Sequence, residues 1–308
     1  MHRVYFILGC TACGKGSVGR EIARRAGGSV ISVDSMKVYR GMDIGTAKPS
    51  TQVRHKIPHC CIDIADPGDG FSVARYVEFA DDAIADVRSV GSIPVAVGGT
   101  NLYIKALCEG LFDGPPADAS VRDLLRSRAE QEGLQILHAE LADVDAEAAC
   151  RIHPNDAKRI IRALEVYKIT GKPISLLQRQ WGQGSRRYDC VFVGIRRAKE
   201  DVHGRINRRV GRMMANGLVD EVKSLLADGA GLSPQAAQGV GYAEIIAYLQ
   251  GQCDLPSAVE RIKINTRRLA KKQRTWHRRW RDVQWFDVSL EEPPDQTAER
   301  IFRSVHFE

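Results

Sequence analysis

The segment Gly9-Cys10-Thr11-Ala12-Cys13-Gly14-Lys15-Gly16-Ser17 has the make-up of a phosphate-holding loop. Its glycines let backbone N–H groups converge on phosphate oxygens, and the helix that should follow adds positive potential at its start. Lys15 supplies the point charge that a GxxxxGK pattern carries. The next position breaks that pattern. Gly16 stands where a phosphoryl-transferring loop needs a hydroxyl to hold Mg²⁺ beside the transferred phosphate. Ser17, one residue on, is the nearest substitute metal ligand. Chemistry in which diphosphate departs as a leaving group tolerates this change better than phosphate transfer does. A carboxylate, Asp34, follows the next apolar run, a strand end at which such a group can accompany Mg²⁺ or cap a helix.

Such a loop works only between a buried strand and a helix, and the chain supplies both. Short runs rich in Val and Ile at Arg3–Leu8, Ser29–Val33, Cys60–Ile64 and Ile93–Val97 alternate with helical patterns at Lys15–Ala26 and Ser72–Ser89. This alternation predicts an α/β fold, a parallel sheet flanked by helices of the P-loop NTPase-like kind. The pattern changes at Asp113-Gly114-Pro115-Pro116, and from Asp118 to about Gln183 only helices are expected. Strand signals return at Cys190–Ile195 and Val283–Phe286, with helices expected at His203–Met214, Val219–Ala227, Tyr242–Leu249 and Leu255 to about Arg281. The expected organisation is a catalytic core over 1–114 and 186–308, with an all-helical insertion domain over 115–185.

The 308 residues are enough for one large core and a smaller appended module, and the net charge of +7 favours polyanionic partners. Ten Lys or Arg residues and no acid lie between Arg261 and Arg281, with Trp276 and Trp280 among them. A basic helix of this kind suits an RNA backbone, while the tryptophans are expected to pack inward. The apolar run Val4–Leu8 is too short for a membrane span or a signal peptide, so the cytoplasm is the expected location. Cys10 and Cys13 form a CxxC, but no second CxxC or HxxxH completes a zinc site. The eight cysteines are expected to be small buried hydrophobes in a reducing compartment.

Asp34-Ser35-Met36-Lys37-Val38-Tyr39-Arg40-Gly41-Met42-Asp43-Ile44-Gly45-Thr46-Ala47-Lys48-Pro49 is the most specific stretch. Here the chain resembles the tRNA dimethylallyltransferase (isopentenyltransferase) family, whose members carry DSxxxYxGMDIGTAKP after a GPTAxGKT loop. Further blocks like the family's follow in order. They are Pro58-His59 to Asp66-Pro67, Val97 to Tyr103, Arg151 to Asp156 with Arg159 and Arg162 to Glu165, Gln238 to Tyr242, and Thr266 to Gln273. Together they span most of the chain from Gly9 to Trp280.

The resemblance implies a mechanism. Asp34 would be the general base toward the amino group of an adenine, an aryl amine too weak as a nucleophile to react without loss of its proton. Thr11 and Lys15 would hold the diphosphate of dimethylallyl diphosphate, with Mg²⁺ as helper. Arg205 matches the family's arginine on that leaving group, with Arg209 a competitor in the same basic stretch. The acceptor would be a tRNA anticodon stem-loop whose adenine leaves the stack. By resemblance its site includes Asp34, Ser35, Met36, Lys37, Thr100, Arg122, Lys158, Arg159, Ile160, Ile161 and Arg162. It continues with Gln238, Gly239, Val240, Gly241, Tyr242 and Ala243, and Lys271 and Lys272 are added from the basic helix. Asn155 or Asp156 should also cap the helix that carries Arg159 and Arg162.

Two departures bear on this. Lys37 replaces the glutamine of many relatives, which shifts that position toward a phosphate contact, and Cys10 replaces a proline. No Cys/His finger follows the last helix, as in bacterial members, and the chain is expected to act as a monomer. Three other readings compete. An adenylate isopentenyltransferase acting on free nucleotide would need neither the helical insert nor the basic helix. A P-loop small-molecule kinase is opposed by Gly16, and an RNA-binding protein without catalysis by the retention of Thr11, Lys15, Asp34 and Arg205.

Overall fold

The structure, a computed structural model, describes residues 2–112, 114–178 and 186–308. Asp113, the end of the helical stretch near Gln183 and the expected boundary at 185 lie outside the described residues. Six strands, β1 (Arg3–Leu8), β2 (Gly28–Val33), β3 (His59–Cys60), β4 (Ile93–Gly98), β5 (Asp189–Arg196) and β6 (Val283–Asp287), form one sheet. The order is β3-β2-β4-β1-β5-β6, and every pairing is parallel. Strands β2 and β4 are buried along their whole length, as a parallel sheet covered on both faces demands. In this order β1 lies between β4 and β5. Ligands of open α/β sheets bind beyond the carboxyl ends of such strands.

Strand β3 is shorter than the run Cys60–Ile64 suggested. Cys61 and Asp63 hold φ of 60° and 58°, a left-handed conformation that no strand continues through. The cause is tertiary. The carboxylate of Asp63 is taken by Lys48 Nζ (2.6 Å) and Arg54 Nη1 (2.5 Å), and the Lys48 side chain is almost fully buried. The helix expected from His203 begins earlier, at Lys199, with Glu200 and Asp201 in its first turn where its dipole favours acids. The helix expected to reach Arg281 ends at His277.

The chain divides into two compact units, Met1–Cys108 with Arg187–Glu308, and Glu109–Arg186. The second contains helices Ala119–Gln131, Leu134–Val144, Ala146–Arg151, Ala157–Thr170 and Ile174–Leu177, packed on Leu125, Leu137, Leu141, Ile160 and Leu164. Asp118 and Asp156 cap two of these helices, accepting from Val121 N and Arg159 N. At the centre, Glu165 has no exposed surface. It accepts from Asp118 N (2.8 Å), Arg122 Nε (2.9 Å) and Arg162 Nη1 (2.7 Å). No described helix is long and apolar enough to cross a membrane.

Candidate active site

The turn from β1 into the helix Lys15–Arg25 builds the floor of the site. Gly14 caps that helix at φ 103°, a conformation that favours glycine. Three cations hold the loop through its carbonyls. Lys15 Nζ donates to Cys10 O (3.3 Å), Arg205 Nε to Ala12 O (2.8 Å) and Arg197 Nε to Cys13 O (2.7 Å). Gln273 ties the loop to the end of β4. Its Oε1 accepts from Thr11 N (2.7 Å) and its Nε2 donates to Gly99 O (2.8 Å). Gln273 and Arg197 were not singled out in the sequence. The only signal for Gln273 was its place at the end of the block Thr266 to Gln273, where the cations drew attention first.

Above this floor lies a cavity of about 1470 Å³. Thr11, Ala12, Gly14, Lys15, Gly16 and Ser17 line it from the loop, and Asp34, Ser35, Met36 and Lys37 from the segment after β2. Thr100 joins them, accepting from Ser35 N (3.0 Å) through its hydroxyl. Gly9, Cys10 and Cys13 do not line the cavity; the carbonyls of Cys10 and Cys13 accept from Lys15 and Arg197. The helix Lys199–Ala215 contributes Arg205, Arg208, Arg209 and Arg212, which recur at helical spacing, while Val202, Ile206, Val210 and Met213 of the adjoining face are buried, Val210 and Met213 along the edge of the site. Arg209 also reaches the loop, with Nη1 3.4 Å from Thr11 Oγ1 and Nη2 3.2 Å from Thr46 O. Burial lowers the Arg209 guanidinium from its usual range, against the pull of Asp34. Burial also lowers Arg205, helped by the charge of Arg197. The two competing arginines therefore share one cavity and touch successive residues of the loop.

Asp34 stands just beyond β2 with its Oδ1 accepting from Met36 N (3.0 Å) and Lys37 N (3.4 Å). Its Oδ2 has no partner among the described residues and is available to a ligand. Burial brings the Lys37 ammonium down to about 8; Asp34 opposes this, and Arg209, Lys15 and Arg20 add to it. A second lobe of about 100 Å³ opens from Thr11, Asp34 and Arg209 and is walled largely by Met36, Val210, Met213, Val240, Ile262 and Leu269.

The segment Gln238 to Ala243 lies against the Asp34 to Lys37 loop. A Cβ at Gly239 would come within 2.9 Å of Met36 Sδ. Tyr242 is fully buried. Its ring lies on Gly45 and its hydroxyl donates to Glu221 Oε1 (2.6 Å). Glu221 in turn accepts from Asp43 N, Ile44 N and Gly45 N at 2.6–3.1 Å, which fixes the loop bearing Thr46. The Tyr242 side chain thus shapes the wall from within the core. In the helical unit two further residues of the expected RNA site are buried. Ile160 has no exposed surface and packs in that unit's core, and Ile161 is nearly as buried. Arg122 and Arg162 are drawn to Glu165, while Lys158 and Arg159 are exposed. Of the two tryptophans expected to pack inward, Trp280 does so against Phe192, whereas Trp276 lines the cavity beside Lys272. Lys271 is exposed. Five cysteines are buried, Cys60 and Cys253 are intermediate, and Cys150 is exposed, contrary to the expectation for all eight.

The IPP transferase family profile matches residues 37–280, and an isopentenyl transferase profile matches 2–59. The chain belongs to the IPP transferase family. Members at high similarity include the tRNA dimethylallyltransferase of Geobacter metallireducens, 45% identical over 285 residues and covering 92% of each chain. The tRNA dimethylallyltransferase of Geobacillus thermodenitrificans is 41% identical over 307 residues, covering 98% of this chain and 96% of the relative. Among solved structures, the full-length tRNA isopentenylpyrophosphate transferase of Bacillus halodurans superposes with a TM-score of 0.73 at 38% identity, covering 99% of this chain and 95% of that one. A eukaryotic dimethylallyltransferase acting on tRNA gives 0.82 at 27%, covering 98% and 78%. The fold is the P-loop NTPase-like fold of this IPP transferase family.

Proposed function

We propose that the protein transfers the dimethylallyl group of dimethylallyl diphosphate to N6 of the adenosine 3′ to a tRNA anticodon, giving N6-isopentenyladenosine and diphosphate. The observation that carries this reading is the junction at Thr11, Asp34 and Arg209, where a cation-lined cavity meets a small apolar lobe. A donor that is a dianion or more at one end and hydrocarbon at the other fits both parts at once. The lobe of about 100 Å³ is the size of a short branched chain.

In this reading Lys15, Arg205, Arg209 and the loop N–H groups take the diphosphate. Their fixed charge favours the separating C1–O bond, whose electron pair leaves with the diphosphate. The N6 lone pair of the adenine bonds to C1 of the prenyl group. Oδ2 of Asp34, held by the two N–H bonds at Oδ1, receives the proton that N6 loses. Binding donor and acceptor in one cavity supplies the orientation on which the rate depends.

Magnesium fits as a companion of the diphosphate, since Mg²⁺ keeps water and phosphate oxygens and needs few protein ligands. Ser17 would be the residue to hold it: it lines the cavity, and among the described residues its hydroxyl accepts from Arg20 Nη2 at 3.3 Å. When bound, the ion would neutralise charge on the leaving group. The acceptor surface is proposed to extend over Lys271 and Lys272, the Gln238 to Ala243 segment and the helical unit's Lys158 and Arg159. A single chain working in the cytoplasm meets these requirements.

The test is to offer the full chain labelled dimethylallyl diphosphate and Mg²⁺ with unmodified tRNA, AMP or ATP in parallel. Label is expected in tRNA alone. Faster labelling of AMP or ATP would replace this reading by transfer to free nucleotide, and label-free phosphate moving from ATP would replace it by phosphoryl transfer.

A further inference from the structure

The CxxC of the phosphate loop is absorbed neither by the fold nor by the proposed reaction. Cys13 N donates to Cys10 O at 3.3 Å, and Ala12, third residue of that turn, has φ of 63°. A hydrogen-bonded turn with a positive φ at its third residue brings its end Cα atoms within about 7 Å, inside the range that a disulfide spans. The Cys13 sulfur is tucked against the backbone, 2.6 Å from where a Cβ on Gly9 would stand, and both cysteines lie just behind the wall formed by Thr11, Ala12 and Lys15.

We infer that Cys10 and Cys13 are a modification site, a dithiol that peroxide closes to a disulfide and that thereby turns off diphosphate binding in the loop. The inference rests on the reading that this loop holds the donor's diphosphate. Within the pair the Cys13 thiol is set apart from the other cysteines by its surroundings, while a hydrogen bond with Cys13 and burial push Cys10 up and keep it the protonated partner. The Cys10 thiol, the charge and N–H of Lys15, and Arg197 favour the Cys13 thiolate against its burial, whereas burial pushes Cys61 up to about 12. A thiolate is the form that attacks oxidants.

The chemistry balances with hydrogen peroxide as oxidant. The Cys13 thiolate sulfur attacks one peroxide oxygen, the O–O bond breaks, and hydroxide leaves to become water. The Cys10 sulfur then attacks the Cys13 sulfenic sulfur; the S–O bond breaks, and the hydroxyl leaves with the Cys10 proton as a second water. Two electrons pass from the sulfurs to the peroxide, and a dithiol reductant returns them. Closing the S–S bond to about 2.05 Å pulls Cys13 toward Cys10. In that reading the Gly14 and Lys15 N–H groups that follow Cys13 serve the anion, while Thr11 N is held by Gln273, and a shift of about 1 Å in such a site costs on the order of a hundredfold in function. A bound donor covers the wall in front of the pair, so occupancy slows the oxidation.

The test treats the full chain with hydrogen peroxide, alkylates remaining thiols, and weighs the peptide carrying both cysteines. Calorimetry then measures binding of inorganic diphosphate with Mg²⁺, and a filter assay measures binding of tRNA. The expected peptide is unalkylated and about 2 mass units light, as a disulfide requires. Diphosphate affinity should fall at least about tenfold and return with dithiothreitol, while tRNA affinity holds. Cys10→Ala and Cys13→Ala, each compared with its own reduced form, should lose the reversible response. A disulfide with unchanged diphosphate affinity overturns the inference, as do two freely alkylated thiols after peroxide or a reversible loss that persists in Cys10→Ala. A reduced protein with no affinity for diphosphate would instead overturn the reading of the loop itself, and the inference with it.

Discussion

Arginine is abundant both in the helical unit and around the cavity of the α/β unit, but its partners differ. In the helical unit Arg122 and Arg162 are spent on Glu165, Arg128 on Glu132 and Glu140, Arg126 on Asp123 and Arg159 on Asp156. Around the cavity no described carboxylate forms an ion pair with Lys15, Arg20, Lys37, Arg205, Arg208 or Arg209; Lys48, paired with Asp43 and Asp63, is the exception. Cations collected without counter-ions repel one another, and several are further disfavoured by burial. Such an arrangement persists at a cost to the empty protein and is relieved by a polyanion. Paired arginines hold a fold together; unpaired ones wait for a ligand. Net charge alone could not separate the two.

Substitutions at six positions test that contrast, beginning inside the cavity. Asp34→Asn should lower the single-turnover rate of prenyl transfer by about 10³-fold, the span of a lost general base, with tRNA affinity within about threefold. Equal losses in rate and affinity would make Asp34 an RNA contact and not the base. Arg209→Ala and Arg205→Ala should each lower kcat/KM by about 10²-fold through the donor. Weakened tRNA binding on that scale would move these arginines to the acceptor side.

In the helical unit the effect should appear in stability. Glu165→Gln should cost about 2 kcal/mol, less than for a fully buried pair because Arg122 and Arg162 remain partly exposed. Chemical denaturation followed on that unit checks it. Burial raises the Glu165 carboxyl, but Arg162, the Asp118 N–H and Arg122 together hold it below its ordinary 4.5. Its contribution is therefore full above pH 4.5 and fades as the pH falls through the lower folded value. Glu165→Gln should lack this acid-side loss, and an unchanged acid profile would mean that another carboxylate governs it. The smallest effect belongs to the exposed basic helix. Removing the charges of Lys271 and Lys272 should flatten the log–log salt dependence of tRNA binding by about one to two units. An unchanged slope would take these lysines off the RNA.

The parts of the site that follow local rules were legible in the sequence. The Gly9–Ser17 segment and the strand before it could be read because a strand–turn–helix phosphate loop needs a fixed order of small residues and a lysine, whereas Asp34 was marked only by the family resemblance of the block that it opens. Strand β3 could not be read, since the pattern of Cys60–Ile64 suits a strand and only the distant Lys48 and Arg54 turn Asp63 aside. Gln273 escaped for a similar reason. Its two bonds to Thr11 and Gly99 exist only once the long helix is laid beside the loop. Burial of Ile160 and Tyr242 was likewise a property of packing that motif membership does not reveal.

The most direct test of the central claim is to digest tRNA after reaction with the wild-type chain and to locate the added mass while counting released diphosphate. The account predicts one five-carbon unit on N6 of the adenosine 3′ to the anticodon for each diphosphate freed. A prenyl group on another base, or diphosphate released with no carbon on the tRNA, would contradict it.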